Sequence, residues 1–200
     1  MSRGIIVLDA GHGQFGNPYP ILENVYEGTQ NYKLACKLKT CLEAKGFFVL
    51  LTRERVEDEP SLEERGRLAG EAGACLFLSL HSNAPGSATP KEIYHTVRGS
   101  EIYYSLADEP RNAEIARAIN DAVVKTVGTV DRGIKTRSYP DQPEVNYYGV
   151  LRYTAAYGCP TALLIEHGFH TNPEDAAFLS DDACLQRLAE AEAEVIDRIL

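Results

Sequence analysis

Three apolar runs in this chain end in groups that can bind metals or move protons. The segment "IIVLDAGHGQ" (5–14) places His12 between two glycines just after a short β-branched run. "SLHSNA" puts His81 at the end of another such run, and "TALLIEHGF" (161–169) ends the most apolar run with Glu166 and His167. A carboxylate at such a place is costly to bury without a partner. Two imidazoles and one or more carboxylates form the usual donor set of a catalytic zinc, which takes three protein ligands and leaves a fourth position for water. The third ligand must come from a loop or a helix start, and Glu27 and Glu23 both stand in the right segment. The bland alternative pairs Glu166 with Arg53 or Arg152 and leaves the histidines as scattered surface groups.

These side chains are far apart in sequence, so only the fold can gather them. Strands are predicted at 5–8, "FFVLLT" (47–52), "CLFLSLHS" (75–82), "EIYYSLA" (101–107), "YGVLRYT" (148–154) and 161–169. Helical stretches lie between them. "NYKLACKLKTCLEAKG" carries Leu34, Leu38, Cys41 and Leu42 on one face, with Gly46 as a stop. "SLEERGRLAGEAG" opens on Ser61 with Glu64 three residues on, a capping-box pattern. Ile115, Ile119, Val123 and Val127 recur at steps of four, and a last helix begins near Asp181. Alternating strands and helices predict a single-domain α/β fold. Its sheet is mostly parallel and twisted, with helices on both faces. Parallel strands bring their carboxyl ends to one edge, where ligands bind. Two segments, 13–28 and 137–149, read as irregular loops that line a cleft.

The net charge of −9 over 200 residues argues against a nucleic-acid binder with a broad basic surface. Five cysteines, Cys36, Cys41, Cys75, Cys159 and Cys184, match no zinc-finger or disulfide framework and read as reduced thiols. No run is long enough to span a membrane. The start "MSRGIIVLDAG" shows no secretion signal.

Five stretches, in order and at matching spacing, resemble the zinc-dependent N-acetylmuramoyl-L-alanine amidases of the amidase-3 family. They are "IVLDAGHG", "EGTQNYKLACKLKTCLEAKGFFVLLTR", "SLEERGRLAGEAGACLFLSLHSNA", "EIYY" and "TALLIEHGFHTNPEDAAFL". The resemblance runs from about residue 5 to the C-terminus. It implies one Zn2+ per chain, held by His12, Glu27 and His81, with Glu166 as the catalytic glutamate. The bond cut would be the amide between N-acetylmuramic acid and L-alanine in peptidoglycan. Some positions depart from the family pattern. Gly28 stands where lysine is frequent and is expected to loosen the helix start that aims Glu27. Gly70 stands where asparagine is common, and His167 and His170 are extra.

Among other residues, Asn83 reads as a turn former and Arg53 as part of a structural salt bridge. His167 is expected to face away from Glu166, His170 to follow it in a packing role, and His95 to be exposed. Tyr147 and Tyr148 would either stack on substrate or pack on the sheet. The expected unit is one catalytic domain over 1–200, a monomer without a separate wall-binding domain. It would be made in the cytoplasm and reach the cell wall on release, as a phage endolysin or a sporulation lysin does. A zinc peptidase with another peptide substrate, or a non-catalytic peptidoglycan-binding module, are the competing readings.

Overall fold

Leucine-rich and β-branched runs bounded by turn formers become the strands. The computed structural model describes residues 3–200, so Met1 and Ser2 of the expected leaderless start lie outside it. The strands are β1 (Ile5–Ala10), β2 (Phe48–Leu51), β3 (Leu76–Asn83), β4 (Ser100–Tyr104), β5 (Asp131–Lys135), β6 (Ser138–Tyr139), β7 (Gln142–Asn146) and β8 (Ala162–Phe169). Six of them form one sheet in the order β2-β1-β3-β8-β4-β5, and β6 and β7 pair as a separate antiparallel hairpin. From β2 to β8 the pairs are parallel; β4 then runs against β8, and β5 follows β4 in parallel. The mostly parallel sheet is present, with one reversal.

The helices are α1 (Glu27–Ala44), α2 (Leu62–Glu71), α3 (Glu109–Val127), α4 (Gly149–Ala156), α5 (Pro173–Ser180) and α6 (Asp182–Ile199). Side chains alternate between sheet faces. Ile6, Leu8, Leu78, Leu80, Leu163 and Ile165 are buried under α1, α3 and α6, while Val7, Phe77 and Leu164 are buried under α2 and α4. Each fully buried leucine contributes about 2 kcal/mol of apolar burial. The Ser61–Glu64 capping box is formed at the start of α2. Gly46, at φ +92°, turns the chain out of α1 into β2. All five cysteines are free, and Cys159 is buried, which pushes its thiol up to about 11.

Three expectations change. Residues 148–154 are not a strand: α4 occupies them, burying Val150, Leu151 and Thr154 at helical spacing. A Cβ at Gly70 would lie 2.0 Å from the Tyr157 carbonyl oxygen, so glycine there lets α2 approach the end of α4. The strand expected over 101–107 stops at Tyr104, where Ser105 caps a 3-10 turn over Leu106–Asp108. The loop over 137–149 is partly ordered by the β6–β7 hairpin.

Candidate metal centre and its acid neighbour

β1 and β3 lie side by side and end at the same edge, while the first turn of α1 reaches over that edge. His12 sits just past β1 with φ 63°, a left-handed conformation that turns its ring back toward β3. His81 is near the end of β3 and Glu27 is the first residue of α1. One ligand atom from each of the three falls within 4.8 Å of the others. Glu27 Oε1 is 3.1 Å from His81 Nδ1 and 3.4 Å from His12 Nε2. Glu23 is exposed and outside this group, whereas Glu27 belongs to it.

Surrounding groups fix the protons. Asp9 is fully buried: burial would raise its carboxyl, but Arg65, Ser79 and Thr52 outweigh that and hold it low. As an ionised acceptor it takes the Ser79 hydroxyl hydrogen, at 2.6 Å. Ser79 Oγ can then only accept from His81 Nε2, 3.2 Å away. His81 Nδ1 is left bare toward the Glu27 carboxylate. The amide of Asn17 donates to Glu27 Oε2 at 2.8 Å and lies 3.1 Å from His12 Nε2. Asn31 and the Ser82 backbone N–H donate to Glu27 Oε1. Burial alone would raise Glu27; the two imidazoles outweigh it and hold the carboxyl well below the ordinary range. Bare ring nitrogens facing a carboxylate repel unless a proton or a cation lies between them. The raised pKa of His12, due first to its hydrogen bond with Glu27, expresses the same demand. This nitrogen and oxygen donor set fits a divalent transition metal.

Gly28 does not loosen the helix start. Its N–H donates to the Gly16 carbonyl at 3.2 Å, and its own carbonyl accepts from Arg53 at 2.9 Å. A Cβ here would lie 1.7 Å from the Gly13 carbonyl oxygen. The residue is glycine because the loop carrying His12 closes directly onto it.

Glu166 is the register partner of His81 on β8, and Glu101 on β4 is the register partner of Glu166. All three share the α2–α4 face of the sheet. Glu101 is neutralised by Arg132, at 2.9 Å, and by Lys135, and it accepts from Asn83 and Tyr103. Among the described residues Glu166 has no such help: its Oε2 is sealed from solvent without a hydrogen-bond partner. Burial first, then the charges of Glu27 and Glu101, push its carboxyl well above the ordinary range. Two cavities border this ladder. One of about 330 Å³ is lined by His12, His81 and Leu62, and one of about 290 Å³ by Glu166, Tyr148 and Arg137.

The bland pairing is overturned. Arg53 donates to the carbonyls of Ala10, Gly28 and Val56, and Arg152 to those of Asn146 and Tyr147. Among the described residues neither meets Glu166 and Arg53 forms no salt bridge; it ties loops together through backbone oxygens. Asn83 ends β3 with its amide on Glu101. His167 faces away from Glu166, buried between the His81 carbonyl and Glu192 at 3.0 Å each. His170 is buried, stacked on Tyr19 and bonded to Ser82. Burial lowers its pKa. His95 is exposed. Tyr148 packs on Tyr103, with Tyr147 beside it. Asp9, Ser79, Asn17 and Arg65 were not singled out from sequence, although a lone Asp inside "IIVLDA" was a usable signal.

The profile of the family described as N-acetylmuramoyl-L-alanine amidase (Amidase_3) matches residues 6–198. The chain belongs to this family. It is 31% identical over 187 residues to the N-acetylmuramoyl-L-alanine amidase LytC of Bacillus subtilis (strain 168), covering 93% of the chain and 33% of LytC. It is 31% identical over 201 residues to the endolysin of Bacillus phage SPP1, covering 98% of the chain and 66% of the endolysin. The catalytic domain of the amidase CwlV, from Bacillus (Paenibacillus) polymyxa var. colistinus, aligns with a TM-score of 0.78 at 28% identity. That alignment covers 99% of the chain and 97% of the domain. The chain therefore spans a third of LytC but nearly the whole of a family catalytic domain.

Proposed function

We propose that the chain hydrolyses the amide between the lactyl group of N-acetylmuramic acid and L-alanine in peptidoglycan. What supports this most is one arrangement: His12, Glu27 and His81 converge at the edge that also carries Glu166, whose Oε2 is buried without a partner, in a chain that matches the amidase family over 6–198. His12, Glu27 and His81 would hold a single Zn2+. When bound, that ion supplies a Lewis acid for the amide carbonyl and acidifies water. Glu166 takes the proton of the attacking water and passes it to the departing amine as the C–N bond breaks. Burial and the nearby charges of Glu27 and Glu101 raise its pKa, which strengthens it as a proton acceptor relative to an ordinary carboxylate. Ser79 and Asp9 hold the His81 ring in one tautomer, and Asn17 steadies Glu27 against His12. The site of action is the bacterial cell wall.

The test is digestion of purified cell walls by the zinc-loaded protein, with new amino termini identified by mass spectrometry. Free L-alanine termini are expected. Other termini would assign a peptidase, and sedimentation with walls without release would assign a binding module. Glu166→Gln should abolish turnover while zinc content stays at one per chain. A variant that kept most of its activity would remove Glu166 from this role.

A further inference from the structure

The cavity beside Glu166 has a charge that catalysis alone does not require. In a chain of net charge −9, its surroundings hold three cations, Arg132, Lys135 and Arg137, beside two carboxyl groups, Glu101 and Glu166. Arg132 and Lys135 share that carboxylate. Arg152 nearby is engaged by the carbonyls of Asn146 and Tyr147. Arg137 is different. Among the described residues no carboxylate lies within ion-pair distance of it. Its guanidinium is 3.7 Å from the centre of the Tyr147 ring and 5.9 Å from that of Tyr148. Tyr148 is itself packed on Tyr103 at 4.6 Å. A guanidinium held over an aromatic ring and bonded to the Tyr148 side chain loses little further freedom on binding, and where it lines the cavity its remaining N–H groups can meet a planar anion.

The direction of the reaction decides which anion. This step rests on the amidase reading. Glu166 must reach the leaving nitrogen, so the departing peptide enters the cavity of Glu166, while the lactyl carbonyl faces His12 and His81. Along a stem peptide that begins L-alanine, γ-linked D-glutamate, the first carboxylate met is the α-carboxylate of the second residue. It lies within about 7 Å of the cleaved nitrogen. We propose that Arg137 is a specificity-determining residue that receives this carboxylate, so that the chain favours stems whose second residue is a free acid over stems in which it is amidated.

Two soluble muropeptides that differ only in this group, α-carboxylate or α-carboxamide, provide the test. The zinc-loaded native protein should prefer the acid by about tenfold to hundredfold in kcat/KM, the range of a charge-assisted hydrogen-bond pair. Arg137→Gln should bring the ratio close to one, with the loss falling on the acid substrate. Arg137→Lys, which keeps the charge but not the fork, should fall between and also serves if the glutamine variant folds poorly. Calorimetric binding of both muropeptides to Glu166→Gln, with and without Arg137→Gln, should show the same preference appear and vanish without turnover. Equal cleavage of both substrates by the native protein, or a preference that survives Arg137→Gln, would overturn the assignment and leave the amidase reading intact. Cleavage of neither would overturn both.

Discussion

Ser79 has a single hydroxyl hydrogen and Asp9 takes it, which obliges His81 to point a bare Nδ1 at Glu27. Ser79→Ala removes the acceptor that fixes this tautomer. Zinc affinity, read by competition with a chelator, should fall about 10- to 100-fold, with little change in the folded structure. Affinity equal to the native value would mean that His81 needs no such support. Gly28→Ala drives a methyl into the Gly13 carbonyl. It should cost about 1–3 kcal/mol in a urea titration, because neither backbone can retreat without moving His12 or Glu27. At this scale the sequence showed His12, His81 and Glu166 because polar groups that end apolar runs are conspicuous. It did not show Ser79 or Asn17, since a serine in a strand and an asparagine in a loop are ordinary. Only three-dimensional proximity to Asp9 and Glu27 gives them meaning. Gly28 was misread for a similar reason: the loop that presses on it lies fifteen residues upstream, at Gly13.

Arg65 ties helix α2 to the edge where β1 ends. Arg65 donates to Asp9 at 2.7 Å and to the carbonyls of Ala10 and His12. Both members of the pair are buried. Arg65→Met would strand the Asp9 carboxylate away from water and should cost about 3–5 kcal/mol. Adding Asp9→Asn should restore part of the loss, since the unpaired charge is gone. A double variant no more stable than Arg65→Met would refute the ion-pair account. Elements with a long period were legible: α1, α3 and α6 follow their apolar stripes, and β8 its apolar run. α4 was not. Its eight residues hold one tyrosine and two β-branched residues beside Leu151 and two alanines, and a segment so short shows too few repeats to separate a period of two from one of 3.6. Packing against Gly66 and Gly70 of α2 settles it as a helix.

Across the molecule, stability should carry the imprint of the cleft. For Glu101, burial would raise the carboxyl, but Lys135 and Arg132 outweigh it and leave the folded value depressed. A depressed folded value stabilises the protein above the ordinary carboxyl pKa, about 4.3, and that contribution is lost as pH falls through the folded value. Glu101→Gln should therefore destabilise the protein clearly at pH 7 and much less near pH 3, as measured by urea unfolding at both. An equal loss at both would place the effect in packing instead of charge. The reversal between β8 and β4 has a further consequence. Had every strand run one way, the start of β4 and of β5 would have been delivered to the opposite rim, and Glu101 and Arg132 with them. Because the sheet turns back, the 84–99 connection runs from the end of β3 to the start of β4 along the same rim as the histidines and lines the cavity of Glu166, while the β6–β7 hairpin that follows β5 is anchored through Asn146 to Ser105 and Leu106 at the far end of β4. Substitutions in the 84–99 connection therefore reshape the cavity of Glu166 without touching His12, Glu27 or His81.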